Sequence, residues 1–300
     1  MPIIELTKTP LVAVPGRAAG IYVKDETEQL TGAFKIRGVS AKLLQDAGHG
    51  PVCTASTGNH GAAVAQVAKL LRRQAVIFVP SDTPQAKTER IVRSGATLRL
   101  FDGDYTSCAA AAEKWALREG ATYIPSFDDP DIIRGHMGLF REIIEELDEE
   151  PSCVWVPVGG GGLLSASLLS MPSRTRIIGV ELEGADALRQ SLAAGRRLTI
   201  EVPRGVAEGL CVRQVGALPF HIASLARVAV VAVSVGQLEE AVRELWYTAG
   251  IRAELAGAAA YAAASSYSSR IQGSHVAVVS GGNIDRALFD QILGTTTAAA

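Results

Sequence analysis

Lys35 lies in the run Thr31-Gly-Ala-Phe-Lys-Ile-Arg-Gly38, a lone amine between Phe34 and Ile36 in a short apolar segment closed by a glycine. Such neighbours strip water from an ammonium and favour the neutral amine, the form that attacks a carbonyl. A lysine in that state is a Schiff-base nucleophile. Taken alone, the same string also reads as a surface lysine at a helix start. Three further stretches carry chemistry, each at the end of an apolar strand-like run. Pro51–Ala55 ends in Ser56-Thr-Gly-Asn-His-Gly61, whose hydroxyls, Asn59 amide and following helix N–H groups could face a carboxylate, or could simply cap a helix. Cys153–Val158 runs into Gly159, Gly160, Gly161 and Gly162, where the backbone can approach a ligand closely and aim several N–H groups at a phosphate. Leu164 stands where a G-x-G-x-x-G dinucleotide fingerprint needs its last glycine, and no Gly-Lys-Ser/Thr follows. Ser280 closes Val276–Ser280 beside Gly281 and Gly282.

The elements that must position these groups alternate in type. Extended runs at Thr9–Val14 and Gly20–Asp25, separated by a Pro15–Gly16 turn, precede a helix opening at Lys35. Strand-like segments follow at Pro51–Ala55, Ala75–Pro80 and Thr97–Phe101, separated by helical patterns at Gly61–Leu71 and Thr83–Ser94, with another helix at Tyr105–Arg118. That order predicts an α/β fold with parallel sheets. A second lobe begins near Pro125, with a helix through Leu147 and strands at Cys153–Val158, Thr175–Glu181, Val228–Val235 and Val276–Ser280. Helices are expected at Ala185–Ala193, at Gln237–Ala249 and after Glu254, and the tail from Gly294 reads as frayed.

Three hundred residues with 48% apolar content can bury a large core. A net charge of −2, from 29 basic and 31 acidic residues without a basic run, argues against nucleic acid and for small-molecule chemistry. Cys53, Cys108, Cys153 and Cys211 are scattered, which fits neither a disulfide framework nor a zinc site. No run is long enough to cross a membrane and no leader pattern opens the chain, so the expected location is the cytoplasm.

Together TGAFKIRG, STGNHG, FDDPDII, VPVGGGGLL, GVAEGLCV, ELAGA and VVSGGNID, in that order between Thr9 and Asp285, resemble the fold type II pyridoxal-phosphate enzymes of the threonine/serine dehydratase and serine racemase branch. The resemblance implies a two-lobed, tryptophan synthase β-like fold, with a large cofactor domain from 1–30 and 126–300 and a small domain at 31–125. It implies that Lys35 carries pyridoxal 5'-phosphate as an imine, with Phe34 beside the ring, Asn59 on its phenolic oxygen, Gly159 to Gly162 and Leu163 on the phosphate, and Ser280 on the ring nitrogen. Glu254 would lie near the ring, although the family's following proline is Leu255 here. Ser56, Thr57, Asn59 and His60 would grip the carboxylate of an amino-acid substrate. The activity implied is β-elimination from a hydroxy-amino acid, giving a 2-oxo acid and ammonia, by a homodimer. Amino-acid racemisation, β-replacement and a silent binding protein on the same fold are the alternatives.

Two departures shape the remaining expectations. Where the branch continues Ala-Gly-Gln-Gly-Thr, this chain has Arg134-Gly-His-Met-Gly138, which makes Arg134 and His136 candidate contacts for an acidic substrate such as 3-hydroxyaspartate or a phosphorylated serine, the alternative being that Arg134 points outward to Asp128, Asp131 or solvent while His136 packs. Thr57 replaces a serine that serves as the opposite-face acid/base in racemases, and is the second catalytic candidate. At the family's cation site Glu181 and Ala185 align but Ala187 replaces an aspartate, so no metal is expected unless Glu183 or Asp186 compensates.

Overall fold

The computed structural model describes residues 4–15, 20–147, 149–203 and 205–294, leaving aside the side chains of Ala86 and Arg90. The expected turn at Pro15–Gly16 and the tail beyond Gly294 reach outside these residues.

Two sheets organise the chain. The first contains β1 (Leu11–Val14), β2 (Ile21–Asp25), β7 (Cys153–Pro157), β8 (Arg176–Leu182), β9 (Ala229–Val233) and β10 (His275–Val279), ordered β1-β2-β10-β7-β8-β9. Only the edge pair β1–β2 is antiparallel. The second sheet is wholly parallel and contains β3 (Val52–Ala55), β4 (Ala75–Pro80), β5 (Thr97–Phe101) and β6 (Thr122–Tyr123), ordered β5-β4-β3-β6. The central strands β3, β4, β7 and β10 are buried at every position, because helices cover both faces of the sheets. Each large aliphatic side chain buried there contributes about 1.5–3 kcal/mol. Behind the first sheet runs α10 (Leu255–Tyr267), an Ala-rich helix with buried residues around its whole circumference.

Strand order fixes where a ligand can enter. From β7 the chain steps outward to β8 and β9, then returns to lay β10 on the other side of β7. From β3 it steps to β4 and β5, then returns to lay β6 on the other side of β3. Each sheet therefore has one switch point, between β10 and β7 and between β3 and β6, and open α/β sheets bind ligands at the carboxyl ends of the strands there.

Helix α1 (Lys35–Gln45) joins the two sheets by packing on both α2 (Asn59–Leu70) and α5 (Pro130–Glu146). The α1–α5 crossing is close enough for backbones to touch: a Cβ on Gly135 would lie 2.7 Å from the Gly38 Cα. Beside it, buried Arg37 bonds Glu26 and Glu142, while Lys24 bonds Glu142 and Glu146. That buried ion network fixes the first turn of α1, and with it the Lys35 backbone.

Candidate active site

Lys35 opens α1, and the residues before it are sutured to the end of β10. Ala33 bridges Gly281, Phe34 N–H donates to Ser280 O at 3.0 Å, and Gly282 N–H donates to Gly32 O at 2.9 Å. The lysine Nζ reaches across the cleft to donate to Ser126 O at 2.9 Å, just past β6, and lies 5.0 Å from the Phe34 ring centroid. Among the described residues no carboxylate pairs with it. Desolvation at the cleft floor, unopposed by a counter-ion, lowers the amine from the ordinary 10.5 to about 8. Both switch points thus converge on one amine poised near its free-base form.

The loop after β3 is folded on itself. Ser56 Oγ accepts from the N–H groups of Gly58 at 3.2 Å and Gly61 at 3.0 Å, so this hydroxyl shapes the loop. Thr57 remains half-buried at the loop tip. His60 turns inward instead of facing the cleft: it is buried, and its Nε2 lies 3.0 Å from Ile124 O. Opposite a carbonyl that nitrogen carries the proton, leaving Nδ1 buried without a partner. Burial and the nearby Lys35 charge push His60 down to about 3, so it is a neutral ring beneath the loop rather than a carboxylate grip.

Asn59, at the start of α2, donates from Nδ2 to Glu254 Oε1 at 2.6 Å and accepts from Asn283 Nδ2 at 2.8 Å. Glu254 caps the start of α10, and its own N–H donates to Gly281 O at 3.0 Å. The amide and carboxylate expected near the cofactor ring are therefore held together beside Ser280.

After β7 the chain passes through Gly159 to Gly162 into α6 (Gly162–Ser170). Gly161 has φ +91°, a left-handed conformation that side-chain-bearing residues rarely adopt, and a Cβ there would lie 2.7 Å from Pro219 Cβ. A Cβ on Gly160 would enter the Phe127 ring, and one on Gly162 would lie 3.0 Å from Phe127 O. The loop is thus bare by necessity, and it presents the first N–H groups of α6, which lack intrahelical acceptors. The Leu163 side chain is buried in the core, so only its backbone faces the loop.

Two residues apart on α5, Arg134 and His136 are about 200° apart around the helix axis and point to opposite sides. Arg134 is exposed and pairs with Asp131 at 2.9 Å, so the structure does not bring it to the other candidates. His136 is 1% exposed, tilts against Phe34 at 4.7 Å between centroids, and has both ring nitrogens without a partner. Burial, then the charges of Lys35 and Arg37, hold it well below its ordinary pKa, so it is a neutral imidazole. This is the alternative arrangement, with Arg134 paired to Asp131 in solvent and His136 packed as an uncharged ring, and it offers no positive loop to an acidic substrate.

At the aligned cation position, the wholly buried Glu181 accepts from the N–H groups of Leu188 at 2.8 Å and Arg189 at 2.9 Å. It caps α7 (Ala187–Ala194), and burial lifts it to about 7. Asp186 pairs with Arg189 and Gln190. Among the described residues no three His, Cys, Asp or Glu side chains are grouped to hold a metal ion.

Sequence reasoning did not assign Ser126, Phe127 or Asn283. Phe127 and Asn283 did carry a signal, as the first residue of FDDPDII and as part of VVSGGNID. Beyond the amine, the donor set fits pyridoxal phosphate: a bare anion cradle, a hydroxyl at the β10 end and a fixed amide beside it. A family model for pyridoxal-phosphate-dependent enzymes matches residues 4–282. The biosynthetic L-threonine dehydratase of Mycobacterium leprae is 34% identical over 96% of this chain and 71% of its own length. That of Bacillus subtilis is 35% identical over 88% of this chain and 65% of its own. This chain therefore spans roughly two thirds of these relatives. A solved structure of the processed form of threonine deaminase isoform 2 from Solanum lycopersicum superposes with TM-score 0.90 at 28% identity, covering 97% of this chain and 84% of that one. With an amine, a cradle and a fold of this kind, the chain belongs to the pyridoxal-phosphate-dependent enzymes.

Proposed function

We infer that this protein is an ammonia-lyase that expels the β-hydroxyl of a neutral hydroxy-amino acid, serine or threonine, as water, after which the resulting enamine takes up water and releases ammonia to leave the 2-oxo acid. The observation that carries the reading is the Lys35 amine, lowered to about 8 at the meeting of the two switch points, within a chain similar to threonine dehydratases. When bound, pyridoxal phosphate supplies an electrophilic carbonyl for amines and an electron sink for the substrate's Cα. Lys35 would hold it covalently, Gly159 to Gly162 and the Leu163 N–H its phosphate, and Ser280 its ring nitrogen. Phe34 would flank the ring, with Asn59 and Glu254 at its edge.

The chain's own groups then divide the remaining work. Lys35 Nζ, once the substrate's own amine has displaced it from the cofactor, would accept the Cα proton, and its pKa of about 8 lets it give that proton up again more readily than an ordinary lysine. Thr57 and the free N–H groups at the start of α2 receive the substrate carboxylate, while the Ser56 hydroxyl holds that loop in shape. Ser280 offers a hydroxyl where a carboxylate would stabilise a ring cation, which favours expulsion of a β-substituent over long-lived carbanion storage. No helix among the described residues is long and apolar enough to cross a membrane. We place the protein in the cytoplasm as a homodimer, with its lobes divided at 1–30 with 126–300 and at 31–125.

The test is a panel of L-serine, L-threonine and 3-hydroxyaspartate with 2-oxo acid release and product chirality followed together. Release from serine or threonine at least about tenfold faster than from 3-hydroxyaspartate is expected, since an unmatched charge in the pocket costs more than one decade. Inversion without 2-oxo acid release would sink the lyase reading.

A further inference from the structure

We propose that Asn283 is a positioning residue that fixes which way the Asn59 carboxamide faces, a role that rests on Asn59 belonging to the cofactor pocket. Asn283 Nδ2 donates to Thr31 O and to Asn59 Oδ1, each at 2.8 Å. A backbone carbonyl can only accept, so Asn283 must present its NH₂ at that corner. The Asn59 atom facing it must then be the oxygen. At the far side Asn59 Nδ2 meets Glu254 Oε1 at 2.6 Å, an acceptor again. Polarity is thus fixed at both ends, and turning the Asn59 amide over would set oxygen against oxygen at Glu254 and NH₂ against NH₂ at Asn283. Of the two Asn59 Nδ2 hydrogens one is held by Glu254, and the other is left aimed for an acceptor on a ligand.

The surroundings keep room for this relay. Gly32 has φ +69°, and a Cβ there would lie 2.9 Å from Asn283 Oδ1. A Cβ on Gly281 would lie 2.9 Å from Glu254 Oε1 and 3.2 Å from Asn59 Nδ2. Thr31, Asn59, Glu254 and Asn283 come from four separate parts of the chain, and the glycines beside them leave space for their side chains to meet.

Purified holoenzyme of wild type, Asn283→Ala, Asn283→Asp, Asn59→Ala and the Asn59→Ala/Asn283→Ala double variant would be resolved from cofactor and titrated with pyridoxal phosphate. Absorbance reports binding, and thermal unfolding of each apo-protein reports the fold. Asn283→Asp preserves shape but sets a carboxylate against Thr31 O and Asn59 Oδ1, so it should weaken cofactor binding about tenfold and shift the bound absorption maximum. Asn283→Ala, which leaves the Glu254 anchor intact, should weaken it about threefold. A residue that only packs gives the opposite order, with the near-isosteric Asp closer to wild type. In the Asn59→Ala background, Asn283→Ala should add less than about twofold, because its effect passes through Asn59. That cycle decides the matter even if Asn283→Asp does not fold. Equal losses with and without Asn59, or Asn283→Asp within about twofold of wild type, overturn the role of Asn283. Failure of the wild type itself to take up pyridoxal phosphate overturns the cofactor pocket as a whole, and is read in a separate arm.

Discussion

Lys24 and Lys35 stand eleven residues apart, the first fully buried and the second half-buried, and the fold treats them in opposite ways. Lys24 is 0% exposed, and its three ammonium hydrogens find three acceptors: Thr9 O at 2.5 Å, Glu146 Oε1 at 2.8 Å and Glu142 Oε2 at 2.9 Å. Lys35 has one neutral acceptor, Ser126 O, and no counter-ion among the described residues. Burial penalises the charged form of either amine, and the partners decide how that penalty is met. Two carboxylates meet Lys24 and tie β2 to α5, whereas Lys35 meets a lone carbonyl and its proton is more readily lost. Lys24 is a structural tie, and Lys35 is the residue we propose as nucleophile and base.

The sharpest break in this contrast is removal of each amine in turn. Lys35→Ala should abolish turnover and leave no cofactor trapped by borohydride, while the unfolding midpoint of the apo-protein stays near that of wild type. A cofactor still trapped in that variant would move the covalent site elsewhere. Lys24→Met should do the reverse, destabilising the fold by about 3 kcal/mol because Glu142 and Glu146 lose a buried counter-ion, while Lys35 still captures the cofactor. The estimate is at the low end because Arg37 continues to hold Glu142. Urea unfolding measures it, and a loss under about 1 kcal/mol would mean that the pair is solvated.

A pH series sharpens the contrast further. The Lys35 free-base fraction rises as pH passes about 8, so capture of pyridoxal phosphate by the apo-protein should accelerate about tenfold from pH 7 to 9 and then level off. A rate still climbing steeply above pH 9 would indicate a lysine near its ordinary 10.5. Because its folded pKa lies below the unfolded one, the unfolded chain binds more protons between about 8 and 10.5, and Lys35 favours the fold increasingly as pH rises through that window.

Glu181 supplies the acidic counterpart, a buried carboxylate that accepts from the backbone N–H groups of Leu188 and Arg189. Its folded pKa of about 7 lies above the ordinary 4.5, so the folded state binds the extra proton, and the associated stability is lost as pH rises from 4.5 through 7. Glu181→Gln should flatten that slope in thermal unfolding. With Ala187 in place of an aspartate, a chelator should change activity by less than about twofold. A large loss restored by magnesium would place a cation beside Glu181 after all.

Groups adjacent in sequence were legible before the fold was known. Lys35 between Phe34 and Ile36, the four glycines after β7 and Ser280 before Gly281 announce their chemistry through immediate neighbours, and β4 and β5 begin and end where the apolar runs do. Shorter or less regular elements escaped: β6 has two residues, α8 (Ala217–Ala226) has its first N–H groups held by the distant Asp128, and α11 (Arg286–Leu293) is a short helix although Asp285 caps it locally. His60 looked like a loop ligand because it sits among the loop's hydroxyl and amide candidates, yet the first turn of α2 rotates it inward onto Ile124 O.

Sequence alone determined which chemistries are present and the α/β alternation that carries them, because a strand-end glycine run or a lysine in an apolar pocket is set within a few residues. Tertiary structure decided how those groups act. Arg134 and His136 are separated by one residue and differ completely in environment, since helical rotation aims one at Asp131 and solvent and packs the other against Phe34. Asn59, Glu254 and Asn283 form a relay only because β10 inserts beside β7 and returns distant loops to the start of α1. Hydrogen-bond polarity and desolvation depend on contacts between segments far apart in the chain, and the pairing of those segments is set by the fold.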